Sequence, residues 1–195
     1  MNYLTPETAK ELCIKAHAGQ WRKATPIITK EDYLKYKEAI DYLGPNTNAT
    51  YELKDNTRIF TKPVNQWFVE KPYSSHPIAV ADMLSTDDEK IVAYLHDVIE
   101  YTDWQLFPFD GLWLQHPKDT INRIPLPKNI YTALHKLTKW EIDGKSYSDY
   151  IKGLSDNRLA TKVKIADMFH NMSTSISDKQ KAKYIKYIHI LLAQI

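Results

Sequence analysis

The 195-residue chain is long enough for one domain with a proper core, and its 43% hydrophobic and 12% aromatic residues are those of a globular protein, not a disordered one. With 26 Lys+Arg against 24 Asp+Glu, the net charge of +2 gives no global reason to expect nucleic acid or an anionic membrane as partner. The single cysteine, Cys13, excludes an internal disulfide and a thiolate cluster for zinc or iron–sulfur. No signal-peptide pattern opens the chain, and no apolar run approaches the roughly 20 residues of a membrane span. A cytoplasmic protein is expected, with no pattern that specifies an oligomeric state.

In chain order, Thr5 can cap a first helix, Pro6 suits its first position, and Ala9, Leu12, Cys13 and Ala16 form its apolar face until Gly19 ends it. The basic strip Gln20-Trp21-Arg22-Lys23 follows. Residues 24–70 differ from the rest. Lys30 to Leu43 reads as a polar helix stopped by Gly44-Pro45, and Tyr51 to Phe60 as a short β-hairpin turning at Asp55-Asn56. Few apolar positions recur there, so the segment reads as an insertion upon a helical domain. Helical patterns return at His76 to Leu84, with Pro77 tolerable in the first turn. Thr86 to Glu89 is a capping box opening a helix over 86–101, whose stripe is Ile91, Val92, Leu95, Val98 and Ile99. Four prolines between Phe107 and Lys128 predict loops and short turns. A further helix carries Ile130, Leu134 and Leu137. A strong one spans 157–172, with Leu159, Val163, Ala166, Phe169 and partly Met172 inward, and a last one near 178–194 uses Ile185, Ile188, Leu191 and Leu192.

The chemistry concentrates on two of these helices. His96, Asp97 and Glu100 share one face by their spacing, bordering the apolar stripe, where a His-Asp doublet is costly to bury without a partner. A divalent cation is such a partner, because neutral imidazole and carboxylate are both good ligands. Lys164, Asp167 and Asn171 recur at three and four on the second helix, with Asp167 flanked by Ala166 and Phe169. His76, at a helix start, completes a two-His, two-carboxylate set. Mixed nitrogen and oxygen ligation suits Mn²⁺, Fe²⁺ or Zn²⁺ better than Ca²⁺ or Mg²⁺. His170 reads as a packing residue turned away from Asp167, and His17 as structural support.

The strings AHAGQWRK, KPYSSHPIAVADML, AYLHDVIEYTD, LTK and VKIADMFHNMST resemble, in order, the motifs of the RelA/SpoT-type HD hydrolase domain. The resemblance implies an all-α HD helical bundle, here with an inserted segment, and one ion, usually Mn²⁺, held by His76, His96, Asp97 and Asp167. It implies (p)ppGpp 3′-pyrophosphohydrolase activity on a small-molecule nucleotide, with water attacking the 3′ phosphorus and Glu100 and Asp97 serving the chemistry. It further implies that Arg22 and Lys23 meet phosphate oxygens, that Asn171 and Thr174 line the nucleotide pocket, and that Lys164 adds a phosphate contact. Three positions depart from the pattern. Tyr101 stands where a second carboxylate is usual, Met168 where a basic residue is usual, and the 24–70 segment splits the usual connection after the basic pair. An HD-type 5′-nucleotidase or deoxynucleoside triphosphate hydrolase, in which the glutamate often stands alone as Glu100 does, is the alternative. An inactive nucleotide-binding HD domain is the rival from another class.

Overall fold

A computed structural model describes residues 4–23, 25–26, 29–43, 50–62, 66–108, 111–118, 123–139, 146–174, 177–193 and 195. The chain forms two compact units: Met1–His17 together with His76–Ile195, and Ala18–Ser75, which interrupts the first in sequence.

Helix α1 (Pro6–Ala16) begins as expected. Thr5 and Thr8 exchange side-chain-to-backbone hydrogen bonds in a capping box, and Ala9, Leu12 and Cys13 turn inward. Burial pushes the Cys13 thiol up to about 12, so it behaves as a small core residue and not as a nucleophile.

In the interrupting unit, β1 (Thr25–Pro26) precedes α2 (Lys30–Lys35) and α3 (Lys37–Leu43). The expected single helix over 30–43 is thus two, parted at Tyr36, and its Gly44-Pro45 stop lies outside the described residues. Strands β2 (Thr50–Glu52), β3 (Arg58–Lys62) and β4 (Gln66–Glu70) complete an antiparallel sheet of order β1-β4-β3-β2. The hairpin turns where the sequence places it. Asn56 takes φ 59°, a left-handed conformation that Asn tolerates, and the Asp55 Oδ1 accepts the Thr57 N–H at 3.1 Å. Alternation along β3 sends Ile59 to a small core with Tyr36, Ala39, Ile40 and Leu43. On neighbouring positions Phe60 stacks on Phe68, and Arg58 lies 3.5 Å over the Trp21 ring.

The remaining unit is mainly helical. Helix α4 (Ser75–Asp82) is followed by α5 (Asp87–Leu95), whose Thr86/Glu89 capping box forms as predicted. The expected continuous helix over 86–101 breaks at His96-Asp97 and resumes as α6 (Val98–Tyr101). The proline-rich stretch holds more than loops: β5 (Gln105–Phe107), β6 (Trp113–Gln115) and β7 (Ile124–Pro125) make a small antiparallel sheet. With the four-stranded sheet this corrects the all-α expectation to a mainly helical fold with two small sheets. Helices α7 (Lys128–Leu137), α8 (Tyr147–Lys152), α9 (Arg158–Ser173) and α10 (Asp178–Leu192) follow.

Helix α5 is the centre of this unit, packing on α1, α7 and α9, and its Ile91, Val92 and Leu95 meet Leu12, Leu134 and Val163 in one core. Three inward assignments are corrected. Phe169 is 47% exposed while Met168 beside it is fully buried, and on α10 Ile188 and Leu191 are buried while Ile185 and Leu192 are exposed. On α9, which packs on α5, α7 and α10, the buried stripe is rotated by about one residue, and on α10, which packs on α8 and α9, it is narrower than expected. Among the described residues no helix is long and apolar enough to cross a membrane.

Candidate metal centre

Three elements of the helical unit converge. Helix α4 supplies His76 in its first turn, the α5–α6 break supplies His96 and Asp97, and the middle of α9 supplies Asp167. All four are buried, at 2%, 5%, 7% and 5% exposure. The break matters for the geometry. In a straight helix adjacent side chains diverge by about 100°, yet His96 Nε2 and Asp97 Oδ1 lie 3.1 Å apart. Asp97 has φ −90° and ψ −14°, in the sparsely populated bridge region where functional residues recur, and its carboxylate makes no capping bond to α6.

The imidazole tautomer of His96 is fixed by its neighbours. Its Nδ1 lies 2.7 Å from the Ala93 carbonyl oxygen, which only accepts, so Nδ1–H donates. In the neutral ring the lone pair then sits on Nε2, a buried atom with no hydrogen-bond partner that lies 3.1 Å from Asp97 Oδ1 and 4.0 Å from Asp167 Oδ1. A lone pair turned toward two carboxylate oxygens out of water is repulsive, and a cation among them converts the repulsion to ligation. His76 Nε2 points into the same space, 3.0 Å from Asp167 Oδ1 and 3.6 Å from Asp97 Oδ2. His76, His96 and Asp97 offer donor atoms within 4.8 Å of one another and could hold a metal ion. The donor set fits a divalent transition ion.

Electrostatics keep the donors in ligating form. Burial pushes the His76 imidazole down, against the pull of its bond to Asp167, which favours the neutral ring a metal needs. Burial alone would favour protonated Asp167. The charge of Lys164, whose Nζ donates to Asp167 Oδ2 at 2.8 Å, and the His76 contact outweigh it and hold the carboxyl well below its usual range. Lys164 responds in kind: burial works against its charge, but Asp167 beside it holds the ammonium well above its usual value.

The residues expected at a substrate are distributed differently. Lys164 and Asn171 both bond Asp167, Asn171 Nδ2 donating to Oδ1 at 2.6 Å, so here they orient a carboxylate. Thr174 caps α9, its hydroxyl donating to the Asn171 carbonyl at 2.8 Å. Glu100 on α6 is exposed, outside the buried group. Next to it, burial and the Glu100 and Asp97 carboxylates push the Tyr101 phenol up, so it stays a neutral donor. Arg22 and Lys23 belong to the interrupting unit. The Arg22 N–H donates to the Lys71 carbonyl at 2.9 Å and its guanidinium lies 5.6 Å from the Tyr73 ring centre, while Lys23 is exposed. His170 is the residue the sequence reading misplaced. Three positions beyond Asp167 is about 60° round a helix, not away from it, and His170 Nδ1 lies 2.6 Å from His76 Nδ1. The i, i+3 spacing that marked Lys164 and Asp167 was the signal that could have found it.

Comparison with protein-family models finds no match, and comparison with curated proteins finds none either. What the coordinates establish is a buried His76/His96/Asp97 group in a mainly helical unit, with Asp167 against it.

Proposed function

We propose that this protein is an HD-type metal-dependent phosphohydrolase acting on a nucleotide, most specifically a (p)ppGpp 3′-pyrophosphohydrolase, with Mn²⁺ as the ion. One observation carries the reading: the buried His96 Nε2, with Nδ1 anchored on the Ala93 carbonyl and no hydrogen-bond partner of its own, faces the oxygens of Asp97 and Asp167 at 3.1 and 4.0 Å. His76, His96, Asp97 and Asp167 would hold the ion. When bound, a divalent ion supplies Lewis-acid charge and brings the pKa of a coordinated water from 15.7 to about 7.

The chain's own groups do the rest. Lys164 and Asn171 fix the Asp167 carboxylate from both of its oxygens, so it meets the ion without reorganising. Exposed Glu100, three residues beyond Asp97, would take the proton-accepting role that the motif resemblance implies. The quoted motif strings support the HD assignment and its alarmone branch. Tyr101, where that branch usually has an acid, favours the 5′-nucleotidase or deoxynucleoside triphosphatase reading as the second choice.

The test is incubation with Mn²⁺ and, separately, ppGpp, dATP and dGMP, with product analysis by ion-exchange chromatography. Release of pyrophosphate from ppGpp is the expected result. Activity on 5′-phosphates alone would replace the alarmone reading with the second one. Turnover that survives Asp97→Ala unchanged would remove the metal site from the chemistry.

A further inference from the structure

The metal reading accounts for His76, His96, Asp97 and Asp167, but not for His170. We propose that His170 is a positioning residue for the metal centre, one that fixes the tautomer and orientation of His76 through a His–His hydrogen bond; the inference rests on the metal reading above.

The two Nδ1 atoms are 2.6 Å apart, and the rings are tilted by 40° with centroids 4.7 Å apart. Two nitrogen lone pairs do not approach so closely. One proton therefore lies between these atoms, and the pair is a hydrogen bond, not a packing contact. Which ring carries the proton follows from the other end of His76. Its Nε2 points at the donor group, 3.0 Å from Asp167 Oδ1 and 3.6 Å from Asp97 Oδ2. Without an ion, a hydrogen on Nε2 can bond Asp167 Oδ1; to ligate, Nε2 must carry the lone pair instead, so in the metal-bound form Nδ1 carries the hydrogen and donates to His170 Nδ1. The neutral His170 then keeps its own hydrogen on Nε2.

The same logic already holds His96, whose Nδ1–H donates to the Ala93 carbonyl. Both histidines thus present Nε2 to the ion and anchor Nδ1 behind it, one on a backbone carbonyl and one on a side chain. Metal-ligating histidines are generally oriented by such a partner, usually a carboxylate, a carbonyl or water. Here the acceptor is a second imidazole on α9, the helix that also carries Asp167. Helix α9 therefore contributes a donor oxygen and the anchor of a ligand from α4. His170 itself is only partly buried, so its substitution leaves the core intact.

The experiment measures Mn²⁺ dissociation constants by titration calorimetry on the metal-stripped full chain, with the Co²⁺ ligand-field spectrum as a report on ligand geometry. His170→Phe keeps ring volume and loses the acceptor, and His170→Ala serves the same purpose if the phenylalanine variant does not fold. His170→Asn places an acceptor oxygen two bonds from Cβ, as Nδ1 is. Losing the acceptor should weaken Mn²⁺ binding about 10–100-fold and alter the Co²⁺ spectrum, with Asn restoring affinity to within about threefold. If His170→Phe or His170→Ala binds as wild type while Asp97→Ala does not, His170 has no positioning role and the metal reading stands. If Asn fails to rescue, the hydrogen-bond assignment is overturned. If the wild-type chain binds no Mn²⁺, Co²⁺ or Zn²⁺, the metal reading fails and the proposal with it.

Discussion

The two units of this chain bury their residues on different scales. The Ala18–Ser75 unit gathers Tyr36, Ala39, Ile40, Leu43 and Ile59 between a helix pair and one sheet. The helical unit gathers a core contributed by α1, α4, α5, α7, α8, α9 and α10. Among the described residues, the buried histidines and carboxylates His17, His76, Glu89, His96, Asp97 and Asp167 all belong to the helical unit. The difference has a physical basis. Desolvating a histidine–carboxylate cluster is costly, and only a unit with a large surplus of apolar burial can hold one in place. The small unit, with its aromatic and arginine surface pairs, is built without that surplus.

The largest expected effect tests where the chemistry resides. Asp97→Ala should weaken Mn²⁺ binding by at least about 100-fold and abolish turnover, because it removes a ligand and not merely its support; calorimetry and a product assay check both. Core truncations then compare the two units directly. Leu134→Ala should cost about 2–5 kcal/mol and lower metal affinity with the fold. Ile59→Ala should carry a similar local cost in the small unit while Mn²⁺ affinity stays within about twofold, since no donor comes from that unit. Equal loss of affinity in the two variants would erase the distinction drawn here.

A smaller effect depends on pH. Burial by itself would raise the Glu89 carboxyl, but the Lys162 ammonium and the Ser85 and Thr86 N–H groups bring it down to about 2 from 4.5. Its folded value is depressed, so its contribution is present above pH 4.5 and disappears as pH falls through about 2. Glu89→Gln should cost roughly 1–2 kcal/mol at pH 7, and its deficit against wild type should shrink steadily below pH 4.5 in urea unfolding. The smallest effect is in the hairpin. Asn56→Gly should change stability by only a few tenths of a kcal/mol, whereas a β-branched residue at its φ of 59° should cost about 1–2 kcal/mol.

Much of the fold was legible because its signals are local. Thr5, Thr86 and Ser177 cap helices with bonds to residues three positions on, and Asn56 turns a hairpin within four residues. The break between α5 and α6 was not legible, since Ala93 to Tyr101 has uninterrupted helical periodicity and neither Gly nor Pro. The sheet of β5, β6 and β7 was hidden by its brevity, and the exposure of Phe169 by the packing of α9 on both α5 and α10.

The sequence by itself determined the chemical inventory. Histidines and carboxylates at His96, Asp97 and Asp167, beside apolar residues, pointed to a cation as partner, because charge next to core residues needs one, and the motif resemblance singled out these three with His76 as its ligands. Tertiary structure alone decided how each is used. It left Glu100 at the surface and set His170 behind His76, whereas the bonds of Lys164 and Asn171 to Asp167 follow the i, i+3 and i, i+4 spacing within α9. Periodicity gives the side of a helix a residue occupies, but hydrogen bonds that reach from one helix to another depend on helix placement, which no local pattern encodes.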